Sequence, residues 1–262
     1  MIKHLSLKAY GKINLGLDVL RRREDGYHDV RMIMQTVGIF DRVDLVWKEE
    51  PGIQVETNLY YLPVNENNLV YKAAKLLMDE FQVQDGLLIR LKKFIPVAAG
   101  MAGGSSDAAA VLFGVNKMFR LGLTTEQLME RGVKIGADVP YCILRGTALS
   151  EGIGEVLTKL PPVPQCQVLV AKPGINVSTK FVYENLHAND LSPDAHPDID
   201  GMIQAIRDQD FMGIAGRLGN VLETVTIKEY PVIQEIKDKM LEYGAIGSLM
   251  SGSGPTVFGL FT

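Results

Sequence analysis

The chain has 262 residues and a formal net charge of −4 at pH 7, with 47% hydrophobic and 22% charged residues. These values are those of a globular protein with one large domain or two modest ones. They argue against a general nucleic-acid binder, which would be basic. The sequence shows neither the apolar run of a membrane span nor the h-region of a signal peptide, so a cytoplasmic protein without a membrane partner is expected.

Strands are predicted to dominate the first part of the chain. Apolar residues alternate with others from Ile13 to Val19, which is typical of a half-buried strand. Asp25-Gly26 is a turn signal before a second strand over 30–37. Residues 41–47 alternate again, and the cluster Glu49–Gly52 ends that third strand.

A glycine-rich loop follows in the middle of the chain. A helix is predicted after Asn67-Asn68 and a short strand over 87–91, which leads into the loop at 96–104. An amphipathic helix comes next, and Ser105 or Ser106 is expected to cap it. Backbone donors that run into a helix N-terminus favour an anion, most often phosphate. An ordinary loop packed tightly before a buried helix is the alternative.

Two familiar phosphate loops and a protein-held metal centre are not supported. A P-loop needs Ser or Thr after its Gly-Lys pair, whereas Ile13 follows Gly11-Lys12. The dinucleotide fingerprint fails because the glycines are spaced differently and no ribose-binding acid follows at the required distance. The four histidines are scattered, and the two cysteines form no ligand spacing.

Beyond the central helix, Thr124 and Gln127 form a capping-box pattern for a helix that runs to about residue 135. Strand-like runs occupy 141–149 and 155–160. Pro161–Pro164 is the best linker candidate. Domains of residues 1–160 and 161–262 are therefore predicted.

The second predicted domain mixes strands and helices. It begins with a strand over 168–171 and a helix capped near Ser178-Thr179, and an exposed polar loop over 189–200 follows. Further helices are predicted around Ile203, over 212–221 and over 231–243, where Gly244 ends the last one. Two strands flank a second loop of small residues at 251–256. The fold class predicted from the elements is α+β.

Lys12 and Asp138 are the candidates for catalysis outside the loop. Lys12 lies in the first strand, where a solvent-facing lysine is the alternative. Asp138 lies between a helix and Val139-Pro140, where a capping or turn aspartate is the alternative. A carboxylate in a mostly apolar setting can act as a base for a hydroxyl, and a lysine can hold it ionised. Together with a phosphate loop, these are the parts that phosphoryl transfer requires.

Six motifs resemble those of the GHMP kinases. Pro96–Ala109 resembles their second motif, and Ser251–Thr256 resembles their third, a glycine-rich loop that supports the active site. The others resemble the branch that uses ATP to phosphorylate the 2-hydroxyl of cytidine-diphosphate methylerythritol in the non-mevalonate isoprenoid pathway: G-K-I-N-L at 11–15, D-G-Y-H at 25–28, N-N-L-V at 67–70 and G-A-D-V-P at 136–140. The resemblance covers nearly the whole chain. It implies the two-domain GHMP kinase fold, with an N-terminal α/β domain, a C-terminal α+β domain and the active site in the cleft between them.

The same resemblance implies the catalytic and ATP-binding residues. Asp138 would be the base that accepts the hydroxyl proton. Lys12 would hydrogen-bond to Asp138, orient it and stabilise charge. Asn68 and Lys93 would contact the adenosine. The residues that would wrap the ATP phosphates are Pro96, Val97, Ala98, Ala99, Gly100, Met101, Ala102, Gly103, Gly104, Ser105 and Ser106.

The implied substrate contacts are Asn14 at the erythritol part, Tyr27 and Tyr183 stacked on the cytosine, and His28 hydrogen-bonded to it. Mg²⁺ is implied by the chemistry, but its ligands are not predicted. Asp107 would either complement the helix dipole or hold the ion through water. A monomer or weak homodimer is expected. The alternatives are another GHMP kinase, such as homoserine or mevalonate kinase, and a non-catalytic sensor on the same fold.

Overall fold

The computed structural model describes residues 2–262, and it contains the mixture of helices and strands that the sequence predicts. The strands are β1 (His4–Arg22), β2 (His28–Lys48), β3 (Gly52–Thr57), β4 (Gly86–Lys92), β5 (Thr147–Glu151), β6 (Val156–Lys159), β7 (Gln167–Ala171), β8 (Gly219–Asn220), β9 (Gly247–Met250) and β10 (Val257–Phe261). The helices are α1 (Leu69–Glu80), α2 (Gly103–Phe119), α3 (Thr125–Val133), α4 (Val139–Leu144), α5 (Thr179–Asn185), α6 (Ile199–Arg207), α7 (Phe211–Ala215), α8 (Glu223–Glu229) and α9 (Val232–Glu242). Short 3₁₀ turns lie at Ala188–Asp190 and Pro193–Ala195.

By packing, the chain forms two compact units that are interleaved in sequence. The first unit holds residues up to Gly11, Gly38–Val97 and Ala102–Leu144, and the second holds Lys12–Val37, Ala98–Met101 and Arg145–Thr262. Strands β1 and β2 each contribute one part to each unit. This packing does not test the predicted domain division between residues 160 and 161, which stays a prediction.

The first unit is built around α2. Strand β3 runs parallel to β4, and β4 runs antiparallel to the second part of β2, where Val43 pairs with Leu91. Helix α1 begins at a cap in which the Asn68 side chain accepts a hydrogen bond from the Val70 N–H. Helices α1, α3 and α4 all pack against α2 and bury it on most sides. This packing fixes the helix that follows the glycine-rich loop.

The second unit contains strands from both ends of the chain. The first part of β2 pairs antiparallel with β5, and β1 pairs in parallel with β8 through Gly16 and Gly219. A Cβ on Gly16 would lie 2.6 Å from Cδ1 of Ile199, so a residue without a side chain lets α6 approach β1. Strands β7, β10 and β9 form an antiparallel sheet covered by α9.

The structure corrects several predicted elements. Residues 30–37 and 41–47 belong to the single strand β2, and α4 replaces much of the strand predicted over 141–149. Residues 212–221 contain the end of α7 and the strand β8 rather than one helix. Strand β1 is buried on both faces from Gly11 to Val19, so it is not half-buried. The sequence pattern does not predict β3 or α8.

Candidate active site

The N-terminus of α2 carries no side-chain cap. The N-cap residue is Ala102, in the left-handed conformation at φ 53°, and it makes no capping hydrogen bond. The prediction that Ser105 or Ser106 caps the helix is therefore wrong, because both lie inside the first turn. The Ser106 hydroxyl instead donates to the carbonyl oxygen of Tyr10 at 2.6 Å. The first N–H groups of a helix have no intrahelical partner, so this end presents backbone donors that suit an anion.

Left-handed backbone shapes the loop before that helix. Ala98 has φ 50° and Gly100 has φ 69°. A Cβ on Gly100 would lie 2.1 Å from the carbonyl oxygen of Ser251, so glycine is required where the two glycine-containing loops meet. The Met101 carbonyl accepts a hydrogen bond from the Lys12 N–H at 3.1 Å. The loop is thus fastened to β1 and to the segment 251–256.

Lys12 is buried under this loop, with 5% of its surface exposed. Its Nζ donates to Oδ1 of Asn14 at 2.8 Å and to the carbonyl oxygen of Gly100 at 3.1 Å. The solvent-facing alternative is therefore wrong. Asn14 is fully buried, and its amide also donates to Sδ of Met32. The structure thus brings Lys12, Asn14 and Gly100 together in the second unit.

Asp138 lies in the turn that leads into α4 in the first unit. Asp138 is half-buried, and its backbone carbonyl oxygen accepts a hydrogen bond from the Cys142 N–H at 3.1 Å. Asp138 is therefore a turn residue, which is the alternative that the sequence analysis gave. Its role as a base stays a prediction.

A buried cluster of Asp41, Lys93 and Asp107 lies beside the start of α2. Lys93 Nζ contacts the carboxyl groups of Asp41 and, at 2.7 Å, of Asp107, while a Cβ on Gly103 would lie 3.2 Å from that nitrogen. Burial raises the pKa of Asp107 to about 8, although the positive charge of Lys93 opposes the shift. Oδ1 of Asp107 has no hydrogen-bond partner among the described residues.

The two predicted adenosine contacts, Asn68 and Lys93, have partners within the protein. Asn68 accepts from the Val70 N–H at the cap of α1 and donates to the Pro63 carbonyl at 2.7 Å. Lys93 joins the cluster described above. These bonds give both side chains fixed positions, and their contact with adenosine stays a prediction.

We expect Asp107→Asn to flatten the pH dependence of stability. Because the pKa of Asp107 is higher in the folded chain than in the unfolded chain, the folded chain retains a proton between about pH 4 and pH 8, and wild-type stability falls as pH rises through that window. An amide cannot lose that proton. Thermal unfolding near pH 6 and near pH 8.5, roughly spanning the upper part of the window, should show a smaller loss for Asp107→Asn than for wild type. Exposed Asp208 supplies the control Asp208→Asn, and parallel losses in wild type and Asp107→Asn would contradict the expectation.

The predicted cytosine contacts are brought together in part. The rings of His28 and Tyr183 lie 5.1 Å apart, centroid to centroid, tilted by 50°. Tyr27 is 60% exposed, and its N–H donates to the Asp25 carboxylate in the hairpin turn. Burial and the charge of Arg22 lower the pKa of His28, so its imidazole is neutral near pH 7. Nε2 of His28 has no hydrogen-bond partner within residues 2–262.

Sequence reasoning missed Asp41 and Asp18. Fully buried Asp41 accepts from the N–H groups of Phe94 and Ile95 and pairs with Lys93, so it holds the chain just before the loop. Oδ1 of buried Asp18 lies 2.7 Å from Nδ1 of His196. Their position in predicted strands offers a weak signal, because a charged residue in a strand that becomes buried needs a partner.

The described residues can be compared with the requirements of a metal site and of a membrane-spanning helix. Within the described part of the chain, no group of three or more His, Cys, Asp or Glu side chains is placed to hold a metal ion. Among residues 2–262, no helix is both long and apolar enough to cross a membrane.

Known families and structures match this chain. The model of the GHMP kinases N terminal domain matches residues 68–146, and that of the GHMP kinases C terminal domain matches residues 196–262. A protein of Lachnospira eligens named 4-diphosphocytidyl-2-C-methyl-D-erythritol kinase is 59% identical over 260 residues, which are 99% of this chain and 90% of that protein.

Two solved structures are similar as well. A crystal structure of 4-(cytidine 5'-diphospho)-2C-methyl-D-erythritol kinase is 32% identical, with a TM-score of 0.83 over 98% of this chain and 90% of that one. Homoserine kinase from Cytophaga hutchinsonii is 20% identical, with a TM-score of 0.80 over 100% of this chain and 86% of that one. The second likeness shows the fold alone.

Proposed function

Because this chain belongs to the GHMP kinases, and within them to the 4-diphosphocytidyl-2-C-methyl-D-erythritol kinases, we propose roles in that reaction for the phosphate loop, Lys12, Asp138 and the residues around His28. The chain is an ATP-dependent kinase of 4-diphosphocytidyl-2-C-methyl-D-erythritol. In the proposed reaction the substrate 2-hydroxyl oxygen attacks the γ-phosphorus of ATP, and the bond to the ADP oxygen breaks. The hydroxyl proton passes to a base on the protein.

The N-terminus of α2, which has no side-chain cap, is the main support for the proposed nucleotide site. Helix α2 has 17 residues, and it begins directly after a loop that contains left-handed residues. Its free N–H groups and its dipole favour the negatively charged phosphates of ATP. Residues 96–106 are therefore the proposed phosphate loop, with backbone groups rather than the Ser106 hydroxyl as the main donors. The Tyr10 carbonyl already accepts from that hydroxyl.

Asp138 is the proposed base. Its half-buried position lets a carboxylate meet a substrate while limiting its contact with water. A positioned carboxylate can take the proton of an alcohol as the alcohol attacks phosphorus. The proton thus moves from the 2-hydroxyl to the Asp138 carboxylate in the transfer step.

Lys12 is proposed to stabilise the charge that develops during transfer. Two acceptors, Asn14 Oδ1 and the Gly100 carbonyl, fix the direction of its ammonium group. A cation held in a buried setting stabilises phosphoryl oxygens more strongly than a mobile surface lysine, because little reorganisation accompanies the reaction. Asn14, which has no exposed surface, is better placed to orient Lys12 than to reach the erythritol directly.

The nucleoside half of the substrate is proposed to bind at Tyr27, His28 and Tyr183. A neutral imidazole has one donor and one acceptor, which can match the hydrogen-bonding edge of cytosine. The unpartnered Nε2 of His28 and the adjacent Tyr183 ring support this assignment. Tyr27 offers an exposed face on which a base can stack.

Tyr27→Ala should raise the KM for the cytidine substrate about tenfold or more and leave the KM for ATP nearly unchanged, because stacking on an aromatic face is lost. Steady-state kinetics with each substrate varied in turn would measure both constants. Tyr243→Ala removes another exposed tyrosine, at the end of α9, and serves as the control. Equal changes in the two KM values would refute a stacking role.

Mg²⁺ is proposed to arrive with the nucleotide and to remain mostly on phosphate oxygens and water. That mode is usual for Mg²⁺ and requires few protein ligands. We also propose a cytoplasmic enzyme that acts as a monomer or weak homodimer and binds no nucleic acid.

ADP release by the purified protein tests the proposal. The protein would receive ATP and Mg²⁺ with the cytidine-diphosphate methylerythritol, homoserine or mevalonate in parallel. Turnover with the cytidine compound alone is expected. Turnover with another alcohol would refute the proposed nucleoside site. ATP binding without any turnover would instead support the alternative of a non-catalytic sensor.

A further inference from the structure

One backbone carbonyl, that of Gly100, accepts two side-chain hydrogen bonds in the second unit. Lys12 Nζ donates to it at 3.1 Å, and the Ser251 hydroxyl donates to it at 3.0 Å. Ser251 has no exposed surface. A carbonyl oxygen has two lone pairs, so the two donors occupy its full hydrogen-bonding capacity.

The segment that presents Ser251 is itself held by hydrogen bonds. The Ser251 N–H donates to the Thr256 carbonyl at 2.9 Å, and the Gly254 N–H donates to the Ser251 carbonyl at 3.0 Å. From β8, the Asn220 amide donates to the carbonyls of Met250 and Gly252, each at 2.8 Å. These hydrogen bonds hold the backbone that carries the Ser251 hydroxyl in place.

We propose that Ser251 is a positioning residue for phosphoryl transfer, which fixes the Gly100 carbonyl and through it the ammonium group of Lys12. Lysine has a flexible stem and three rotatable donors, so its direction depends on how well its acceptors are held. Asn14 supplies one acceptor from β1 itself. A second acceptor, the Gly100 carbonyl, lies in a loop that contains left-handed residues, and the Ser251 hydroxyl donates to the same oxygen. This proposal rests on the function proposed above for Lys12.

Ser251→Ala should lower kcat about fivefold to tenfold, the range expected for one lost hydrogen bond that acts on the transition state, with little change in the KM for the cytidine substrate. Ser251→Cys keeps the volume but donates weakly, so it should lose activity in the same way. Ser251→Thr keeps the hydroxyl and should restore kcat. Ser248→Ala is the matched control, because Ser248 also donates to a carbonyl, that of Phe258, from the adjacent β9.

A test for coupling separates positioning from a merely structural role. In a Lys12→Met background, Ser251→Ala should lower kcat less than twofold, since the group that it positions is gone. A loss of the same factor in both backgrounds, or wild-type kcat in both Ser251→Ala and Ser251→Cys, would overturn the proposal. Lys12→Met alone distinguishes the two failures. If it retains full activity, the role of Lys12 is wrong; if it is impaired while Ser251→Ala is not, only the role of Ser251 is wrong.

Discussion

Asp138→Asn is expected to lower kcat by about two to four orders of magnitude, the usual range for loss of a general base. The amide has nearly the same shape as the carboxylate, so the turn before α4 and its hydrogen bond from the Cys142 N–H should remain. An amide cannot accept the proton of the attacking hydroxyl at neutral pH. Measuring kcat by ADP release, with nucleotide affinity measured separately, would show a chemical defect with ATP binding largely kept.

The control for that variant is Asp85→Asn. Asp85 is also half-buried, lies in the same unit and precedes β4 in a bend, so it reports the cost of an Asp-to-Asn change without a proposed role in the reaction. Its kcat should stay close to that of wild type. Wild-type turnover in Asp138→Asn would remove Asp138 from the reaction. An equal fall in both variants would indicate an effect on the fold instead.

Local signals predicted helix starts well because the capping atoms are close in sequence. The helix predicted after Asn67-Asn68 is present, and so are the predicted capping box of Thr124 and Gln127 and the predicted cap at Ser178. The same reasoning failed at α2, where Ala102 stands at the N-cap and two serines follow inside the helix. A glycine-rich loop can enter a helix without a side-chain cap, and sequence alone does not reveal whether a serine is used.

Elements rich in β-branched residues were harder to assign. Helix α8 contains Thr, Val, Thr and Ile at 224–227, and helix α4 contains Val139 and Ile143, so both lack strong helix propensity. Pro140 suits the first turn of α4, but it also marks an end of a strand. Tertiary packing decides whether such a short segment forms a helix or a strand. Helix α4, for example, packs against α2 and α3.

The alternation in β1 revealed one face of the strand and left the other undetermined. Lys12, Asn14 and Asp18 alternate with the apolar residues, and all three are buried. Their partners include Gly100 and His196, which are distant in sequence. The order of the motifs thus indicates the family and its chemistry. The contacts that orient the side chains depend on residues far apart along the chain.

Lys12→Met is expected to lower kcat by roughly two to three orders of magnitude, the range for removing one preorganised group that stabilises developing charge. Methionine has a similar length and an apolar side chain, so it should fill the buried space beneath the loop. The Gly100 carbonyl keeps its bond from Ser251, so the loop should keep its course. Steady-state kinetics, together with thermal unfolding, would separate a loss of chemistry from a loss of fold.

Lys8→Met is the matched control, because Lys8 lies on the same strand but is exposed, with its Nζ 4.5 Å from the Phe40 ring centroid. Its kcat should remain near that of wild type.

Combining Lys12→Met with Asp138→Asn adds a stricter test. If the base and the cation serve one transition state, the combined loss should be clearly smaller than the product of the two single losses. Fully multiplicative losses would mean that the two groups act independently, which would contradict a shared role in the transfer step.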